Sequence, residues 1–313
     1  MSAAAMLAAF AIDSALGWPR AAFEAVGHPV VWLGKLIDWT DRRWNRPALG
    51  DGARRAAGAA AMLLAVAAAV VPAAALQASL PAGLVGWIVL GVLAWPLLAV
   101  RSLHDHVAAV QAPLERGDLD GARASVAMIV GRDPTRLDAA GVSRAALESL
   151  AENTSDGVVA PLFWGVLFGL PGIAGYKAVN TLDSMIGHRT ERHEAFGMAS
   201  ARIDDLANLA PARLTGAVFA LASGRRRAWS VMRRDARKHR SPNAGWPEAA
   251  MAGALGVRMS GPRAYADRVS EEPWLNAGAA DPDAAALRQG LRLYRRAMIL
   301  VAAGLAALVA MGA

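Results

Sequence analysis

The chain has 313 residues, of which 55% are hydrophobic and 19% charged, and its mean hydropathy is +0.29. The charged share is below the roughly 25% of an ordinary soluble domain, which argues against a soluble globular protein. Cysteine is absent, which excludes disulfides, thiolate metal sites and cysteine nucleophiles. The net charge of +7 would suit nucleic-acid binding in a soluble protein. In a membrane protein it indicates basic cytoplasmic loops, and we expect no nucleic-acid partner.

The first hundred residues predict three membrane-associated helices. The first twelve residues are apolar but lack a basic leader and a convincing cleavage site, so we expect a retained helix. Residues 56–100 carry no charge, and they are about twice as long as the roughly 20 residues that cross a bilayer once. Pro and Gly within residues 77–83 predict a tight turn between two transmembrane helices.

Three later stretches are also apolar: residues 157–176, 206–223 and 297–313. The sum is five or six membrane-associated segments. The polar stretches 101–156 and 224–296 carry apolar residues at helical spacing and no long strand-like alternation, so we predict cytoplasmic helical segments. The sequence therefore predicts an all-α, polytopic helical membrane protein, with residues 1–313 forming a single integral-membrane domain.

A first polar cluster stands directly before the apolar stretch 157–176. Arg144, Glu148, Glu152 and Asp156 recur every four residues, which places them on one helix face. Arg144 and Glu148 have an ordinary interpretation as a surface ion pair. Glu152, Asn153 and Asp156 are predicted to end the helix at the apolar boundary, where buried unpaired acids would cost several kcal/mol. Mg²⁺ bound largely through phosphate oxygens would neutralise Glu152 and Asp156.

A second polar cluster lies between the apolar stretches 157–176 and 206–223. It comprises Lys177, Asn180, Asp183, His188, Arg189, Arg202, Asp204 and Asp205. His188 and Arg189 near Asp183 suit phosphate binding or proton transfer. The four-residue gap between His188 and His193 is a poor metal motif, so we expect no structural zinc.

The remaining candidates are cationic or amide groups of the two polar segments: Arg101, His104, Arg132, Lys238, His239 and Asn243. Arg101 has an alternative interpretation as a membrane-surface anchor, and residues 238–243 as the end of a basic surface helix with a capped turn. The common phosphate-loop, zinc-protease and serine-hydrolase motifs are absent. The pattern is typical of a membrane enzyme that binds a phosphorylated, polyanionic substrate with Mg²⁺.

Seven blocks in the same order along nearly the whole chain resemble the cobalamin-biosynthesis membrane protein family CobD/CbiB, adenosylcobinamide-phosphate synthase. They are HPVVWLGKLID, RSLHDHVAAV, GRDPTRLD, RAALESLAENTSDGVVAPLFW, YKAVNTLDSMIGHR, FGMASARIDDLANLAPARLTG and DARKHRSPNAGWPEAAMAGALGVRMSGP. One departure is Pro134 in GRDPTRLD, where a hydroxyl or acidic residue is expected. The resemblance implies a multi-pass enzyme of the bacterial inner membrane with its active site facing the cytoplasm.

The resemblance also implies an ATP-dependent amide ligation with Mg²⁺. Adenosylcobyric acid supplies the carboxylate and (R)-1-aminopropan-2-ol O-phosphate the amine, and adenosylcobinamide phosphate is the product. Other late cobalamin-pathway enzymes are potential partners beside the lipid bilayer. Ethanolamine phosphate is the alternative amine.

That chemistry suggests roles for the motif residues. Catalytic roles go to Glu152, Asp183, His188 and Arg189. Substrate or phosphate binding goes to Arg101, His104, Arg132, Arg144, Asn153, Lys177, Asn180, Arg202, Lys238, His239 and Asn243. The predicted Mg²⁺ ligands are Glu152, Asp156, Asp204 and Asp205.

Two other functions stay in view. A Mg-dependent intramembrane prenyl- or alcohol-phosphotransferase would place acids in DxxxD or DxxDG repeats on two helices, and the acids here fit that pattern loosely. A transporter or non-enzymatic corrinoid binder would show more spans and internal symmetry.

The apolar stretches 157–176 and 206–223 contain prolines, and the second also contains Arg213. We expect both to be broken or re-entrant, so that the motif at residues 180–189 returns to the cytoplasmic face.

Overall fold

Helices make up 76% of the structure, a computed structural model that describes residues 2–131, 133–264, 269–270 and 272–312. Its α-helices are α1 (Ser2–Leu16), α2 (Arg20–Val26), α3 (Pro29–Trp44), α4 (Asp51–Ser79), α5 (Leu84–Ala94), α6 (Val100–Glu115), α7 (Leu119–Val126), α8 (Ala139–Thr154), α9 (Ala160–Ile186), α10 (Met198–Ala207), α11 (Leu209–Ser223), α12 (Arg226–Asp235), α13 (Gly245–Leu255) and α14 (Ala284–Ala310). Two-residue strands form two antiparallel pairs, β1 (Met259–Ser260) with β4 (Trp274–Leu275) and β2 (Arg263–Ala264) with β3 (Val269–Ser270). The prediction of an all-α chain is confirmed.

Four helical stretches of the described chain are long and apolar enough to cross a membrane: Asp51–Ser79, Leu84–Glu115, Ala139–Ile186 and Ala284–Ala310. The shorter apolar helices α1 and α11 bring the apolar segments to six, within the predicted range. The hairpin predicted in residues 56–100 is present, because α4 ends at Ser79 and α5 begins at Leu84. The chain is therefore a helical membrane protein with several apolar spans.

The chain divides into two compact units. The first unit comprises Met1–Ala99, Ala160–Asn208 and Gly304–Ala313, and the second comprises Val100–Val159 and Leu209–Ala303. The second unit contains both polar segments for which we predict a cytoplasmic location. That location, and the description of the chain as a single membrane domain, stay predictions.

In the first unit, α4 packs along α9, and α3 packs against both. Alanines Ala61 and Ala65 of α4 are fully buried in a cluster with Ile37, Leu182 and Phe196. Small side chains let membrane helices approach closely. The resulting van der Waals contacts stabilise helix pairs in lipid, where the hydrophobic effect does not drive association. Gly197 serves the same end, because a Cβ there would lie 1.6 Å from the carbonyl oxygen of Ile186.

Helix α9 is broken near its middle. Gly169 has a φ of 69°, and Pro171 follows two residues later. The break leaves the backbone N–H of Leu170 without a helical acceptor, and it donates instead to Oε1 of Gln77 at 2.8 Å. The expectation that residues 157–176 contain a break is therefore confirmed. Whether this segment re-enters the same face of the membrane stays a prediction.

One predicted boundary is wrong. The polar cluster at Glu152–Asp156 was expected to end a helix, but α8 runs to Thr154, a π-helical turn covers Ser155–Val159 and α9 begins at the next residue. Four of the five residues in this turn are buried, so packing holds Gly157 in a helical conformation. Single π-helical turns inside helices are frequent at functional sites.

In the second unit, α13 is buried along nearly its whole length and packs against α8, α11 and α12. Helices α6 and α7 pack against each other as an αα-hairpin and cover α8. Strands β1 and β4 close one side of α13. These elements bury several charged groups, of which Asp235 and Glu248 are at most 1% exposed.

Candidate active site

The first unit gathers three acids from two helices. Lys177, Asn180 and Asp183 follow one another at three-residue spacing on α9, so they share a face. Asp204 and Asp205 come from α10 and interact electrostatically with Asp183. The structure thus brings together residues that stand about twenty apart in the sequence, as the interpretation of this cluster requires.

Asp204 is the most deeply held of these acids, with 8% of its surface exposed. Its Oδ2 accepts a hydrogen bond from Nδ2 of Asn208 at 3.0 Å, and Asn208 Oδ1 accepts one from the hydroxyl of Tyr176 at 2.9 Å. Burial and the negative charge of Asp183 raise the pKa of Asp204 to about 7, although Asn208 and Asn180 oppose the rise. Near neutral pH this carboxyl group is therefore poised between its two protonation states.

His188 and Arg189 lie in the exposed turn that follows α9. His188 interacts electrostatically with Asp183, and Arg189 with Asp205. Burial raises the pKa of Asp205, and the positive charge of Arg189 offsets part of that rise. The imidazole and the guanidinium thus stand near the acids, where a phosphorylated ligand could meet both kinds of group.

The segment after this turn is tied to α3 by an ion pair. Arg192 donates to Oδ2 of Asp41 from Nε at 2.9 Å and from Nη2 at 2.7 Å, and Asn45 donates to Asp41 Oδ1 at 2.8 Å. Burial raises the pKa of Asp41, but the hydrogen bonds from Asn45 and Arg192 outweigh it and hold the pKa below its usual range. Arg54 adds a hydrogen bond to the carbonyl of Arg192. Asp41 therefore fixes the segment that carries His188 and Arg189.

Two more predicted residues belong to this unit. Lys177 is half-buried and lies near His28, whose pKa is lowered by burial and by the lysine charge. Arg202 is exposed on α10. The sequence reasoning missed Asn208 and Tyr176, although Asn208 stands four residues after Asp204, a spacing that predicts a contact within one helix.

In the second unit, Arg144 does not pair with Glu148, so the ordinary interpretation of those two residues is wrong. Arg144 Nη1 lies 3.1 Å from Oδ1 of Asp281, and its guanidinium stacks on Trp274 at 4.8 Å. Glu148 is buried and accepts a hydrogen bond from the backbone N–H of Ser260 at 2.8 Å. Packing of β1 against α8 supplies that partner, which lies 112 residues away.

Glu152 and Asn153 are exposed and Asp156 is half-buried, at and just before the π-helical turn. Asn153 Nδ2 donates to the carbonyl of Ser149 at 2.9 Å. Of the four predicted Mg²⁺ ligands, Glu152 and Asp156 fall in the second unit, and the two adjacent aspartates of α10 in the first. Within the described residues, no three carboxylate or imidazole groups are arranged to hold a metal ion by themselves.

Arg101 and His104 share one neighbour. Arg101 Nε lies 3.4 Å from Oδ2 of Asp105, and His104 Nδ1 lies 3.3 Å from its Oδ1. Arg132 lies outside the described residues, so its predicted role stays a prediction. Arg101 is exposed at the start of α6, where it would suit either of its two interpretations.

The last predicted group surrounds two buried acids that the sequence reasoning did not single out. Lys238 Nζ lies 2.7 Å from Oδ1 of Asp235. His239 Nδ1 accepts from the backbone N–H of Ser241 at 3.0 Å, which places the proton of a neutral ring on Nε2, 3.6 Å from Oε1 of Glu248. Asn243 is buried in the following turn. Asp235 and Glu248 stand in the motif DARKHRSPNAGWPE, so that motif contained the signal.

Comparison with known proteins gives concordant results. A sequence model of the family described as CobD/Cbib protein matches residues 6–294. The "Cobalamin biosynthesis protein CobD" of Rhodobacter capsulatus is 63% identical over 297 residues, which are 95% of this chain and 94% of that protein. The proteins of the same name from Brucella anthropi and Sinorhizobium fredii are 46% identical over 302 residues and 45% identical over 314 residues. They align with 94% and 97% of this chain, over 92% and 96% of their own lengths.

No solved structure was found to match the chain. The family match nevertheless runs through both units, and the blocks that carried the resemblance all lie within it or overlap it. The chain belongs to the CobD/CbiB family of cobalamin biosynthesis proteins.

Proposed function

We propose that this protein joins a propionate carboxylate of adenosylcobyric acid to the amine of (R)-1-aminopropan-2-ol O-phosphate in an ATP-dependent ligation. Membership of the cobalamin biosynthesis family supports the pathway. The observation that carries the specific reaction is the cluster of Asp183, Asp204 and Asp205 beside His188 and Arg189. It offers carboxylates for a cation, a cation for phosphate and groups that exchange protons near neutral pH.

The proposed reaction has two steps. A carboxylate oxygen of the corrinoid attacks the γ-phosphorus of ATP, which forms an acyl phosphate and releases ADP. The amine nitrogen then attacks the acyl carbon, the C–O bond to phosphate breaks, and the amine loses a proton. The products are the amide, ADP, inorganic phosphate and one proton.

The acidic cluster suits a Mg²⁺ ion. Mg²⁺ binds through one or two carboxylates together with substrate phosphates, so it does not need a complete protein cage. Oδ1 of Asp204 is buried and has no hydrogen-bond donor of normal length among the residues that the structure describes. A bound cation would relieve the repulsion that raises the pKa of this group. We therefore assign the ion to Asp204 and Asp205, where it would neutralise phosphate charge during transfer. Glu152 and Asp156 lie in the other unit, and their role in metal binding stays a prediction.

The other roles follow from charge and exposure. Arg189 and Lys177 suit phosphate groups, since a guanidinium can hold two phosphate oxygens at once. His188 and Asp183 are candidates for the base that takes the amine proton. The cationic groups of the second unit are proposed to bind the remaining phosphate or corrinoid side chains: Arg101, His104, Arg144, Lys238 and His239, with the amides Asn153 and Asn243.

The test is ATP consumption by the purified protein with each substrate alone and with both together. We expect sustained ADP release only when adenosylcobyric acid, the aminopropanol phosphate and Mg²⁺ are all present, and at most one ADP per protein without the amine. The product should gain the mass of the amine minus water. Ethanolamine phosphate in place of aminopropanol phosphate measures the choice of amine. Turnover of a prenyl or alcohol phosphate without ATP, or corrinoid binding without ATP consumption, would contradict the proposal.

We also propose that the loop with His188 and Arg189 faces the cytoplasm, where ATP is available. Because the chain has no cysteine, Thr190→Cys introduces its only thiol. In whole bacteria with a permeabilised outer membrane, we expect an impermeant maleimide to leave this thiol unlabelled until the inner membrane is opened. Ser79→Cys is the matched control. It lies in the tight turn predicted at residues 77–83, which is uncharged and which we expect to face the outside, so this thiol should be labelled from outside. Labelling of both variants from outside would contradict the orientation.

A further inference from the structure

Helix α12 has two chemically distinct faces. Ala228, Val231, Met232 and Asp235 are buried and face the helices that pack against α12. The opposite face lines an open groove of about 700 Å³ with Arg226, Trp229, Ser230, Arg233 and Arg234. None of these five residues is used in the proposed ligation.

Some arginines of this region form hydrogen bonds or ion pairs within the protein, and others do not. Arg225 Nη1 donates to the carbonyl of Ala254 at 2.8 Å, and Arg234 forms two hydrogen bonds with Asp235. Among the described residues, neither Arg226 nor Arg233 lies within ion-pair distance of a carboxylate. Arg233 instead stands over the ring of Trp229, 5.9 Å from its centroid. Two exposed guanidinium groups and an indole are therefore available to a ligand.

Helix α12 directly follows an apolar helix along the chain. Helix α11, in the same unit, exposes Leu209, Leu214 and Leu221, of which the last is 62% exposed. In a membrane protein, lipid chains cover such side chains. Gly224, with a φ of 63°, then turns the chain, and α12 starts two residues later. The basic face of α12 thus follows a helix with exposed leucines, the order expected where a chain passes from the hydrocarbon core to the headgroup region.

We propose that this face of α12, the Arg226–Trp229–Arg233 surface, binds the phosphate headgroups of anionic phospholipids at the membrane surface. Tryptophan is enriched at that interface, and basic clusters next to membrane helices attract anionic lipids. Guanidinium groups also hold phosphate oxygens in pairs. The same chemistry would suit free phosphate, but an open groove on the helix that directly follows the exposed leucines of α11 suits a lipid surface better.

The absence of cysteine makes a site-specific probe straightforward. Ser230→Cys introduces the only thiol at an exposed position in the groove, and it is labelled with an environment-sensitive fluorophore. The full-length protein is reconstituted in nanodiscs of phosphatidylcholine that contain a fixed fraction of either headgroup-quencher phosphatidylglycerol or headgroup-quencher phosphatidylcholine. We expect quenching by the anionic lipid to be about fivefold stronger, the effect of one basic residue near a charged membrane. High salt should reduce this ratio.

The control variants separate the groove from net charge. In the labelled background, Arg226→Gln with Arg233→Gln should bring the quenching ratio close to one. Arg43→Gln with Arg116→Gln removes the same charge from exposed positions elsewhere and should leave the ratio unchanged. Arg233→Lys keeps the charge and should retain most of the preference.

Equal quenching by the two lipids in the labelled protein would overturn the proposal, and so would an unchanged ratio in the Arg226/Arg233 variant. Inorganic phosphate added to neutral nanodiscs distinguishes the other source of the same chemistry. If it shifts the fluorophore emission and abolishes the lipid preference at millimolar concentration, the groove binds soluble phosphate and the membrane assignment is wrong. The measurement does not require ATP, corrinoid or turnover, so its outcome is separate from that of the proposed ligation.

Discussion

Two buried aspartates, one in each unit, have opposite surroundings. Asp235 in the second unit is completely buried and receives hydrogen bonds from Arg234 and from the backbone N–H of Asn276, with Lys238 Nζ 2.7 Å away. Burial alone would raise its pKa, but these partners hold the pKa well below its usual range. Asp204 in the first unit is nearly as buried, yet its neighbours include two further carboxylates, and its pKa rises to about 7.

The difference separates a structural acid from a poised one. Asp235 holds Arg234, Lys238 and the turn after β4, and two positively charged side chains offset its charge. The negative charge of Asp204 is buried near other carboxylates, so the group favours a bound proton or cation. Such a site costs folding free energy, but it can bind a metal ion or exchange a proton. Four measurements can break or sharpen this contrast.

The largest effect should come from Asp235→Asn. The variant loses two charge-assisted contacts in a buried site, so we expect the free energy of unfolding to fall by about 3 kcal/mol. The measurement is denaturant unfolding in detergent micelles. Asp118→Asn changes an exposed helix cap in the same unit and should cost about 1 kcal/mol or less. If the free energy of unfolding fell equally in the two variants, the buried contacts of Asp235 would stabilise the fold no more than an exposed helix cap does.

Asp204→Asn should have the opposite profile. We expect turnover to fall by about 10² or more, the scale seen when a main electrostatic contributor to catalysis is lost. The free energy of unfolding should stay the same or rise, because the amide removes repulsion among three carboxylates. Steady-state ATP consumption and denaturant unfolding are measured on one preparation. Full activity at saturating Mg²⁺ would remove Asp204 from the site.

The pH dependence of stability tests the same contrast without substrates. The pKa of Asp204 is higher in the folded protein than the ordinary aspartate value of 3.8, so its contribution to stability is greatest at low pH and is lost as the pH rises toward 7. In the presence of a chelator, the free energy of unfolding of the parent protein should fall by about 2 kcal/mol more between pH 5 and 7 than that of Asp204→Asn.

The pKa of Asp235 is lowered, so its contribution is present above 3.8 and is lost only at lower pH. Asp235→Asn should therefore leave the slope between pH 5 and 7 unchanged. Parallel curves for the parent and Asp204→Asn would contradict the raised pKa.

The smallest effect should come from Arg189→Lys, which keeps the charge beside Asp205 but loses the planar fork. We expect about a tenfold rise in KM for one of the phosphorylated substrates, with kcat less affected. Arg55→Lys, at an exposed position of α4, is the control and should change neither constant. If KM is unchanged for both ATP and the aminopropanol phosphate, Arg189 does not bind phosphate.

Local patterns predicted much of the fold. The uncharged stretch 56–100 with its Pro and Gly was sufficient for the α4–α5 hairpin, because helix length and turn residues are local properties. The π-helical turn at Ser155–Val159 was missed, since Gly157 after a polar run resembles a helix end. Its helical state depends on buried neighbours that no local pattern contains.

The candidate site divides in the same way. Asp204 with Asn208 is a four-residue spacing that the sequence displays. The approach of Asp204 to Asp183, or of Arg192 to Asp41 over 151 positions, depends on how helices pack. The apparent stripe of Arg144 and Glu148 failed for that reason, because both side chains found partners more than a hundred residues away.

The hydrogen bond from Leu170 to Gln77 has a consequence for how the chain enters the membrane. During synthesis, Gln77 emerges 93 residues before Leu170, so its side-chain amide initially lacks this partner near the end of a helix whose second half is apolar. When α9 follows, its break at Gly169 exposes an N–H that costs several kcal/mol in hydrocarbon until Gln77 reaches it. Stable insertion of α9 is thereby linked to its pairing with α4, so the two helices enter the bilayer as a cooperating pair although nearly a hundred residues separate the two bonded groups.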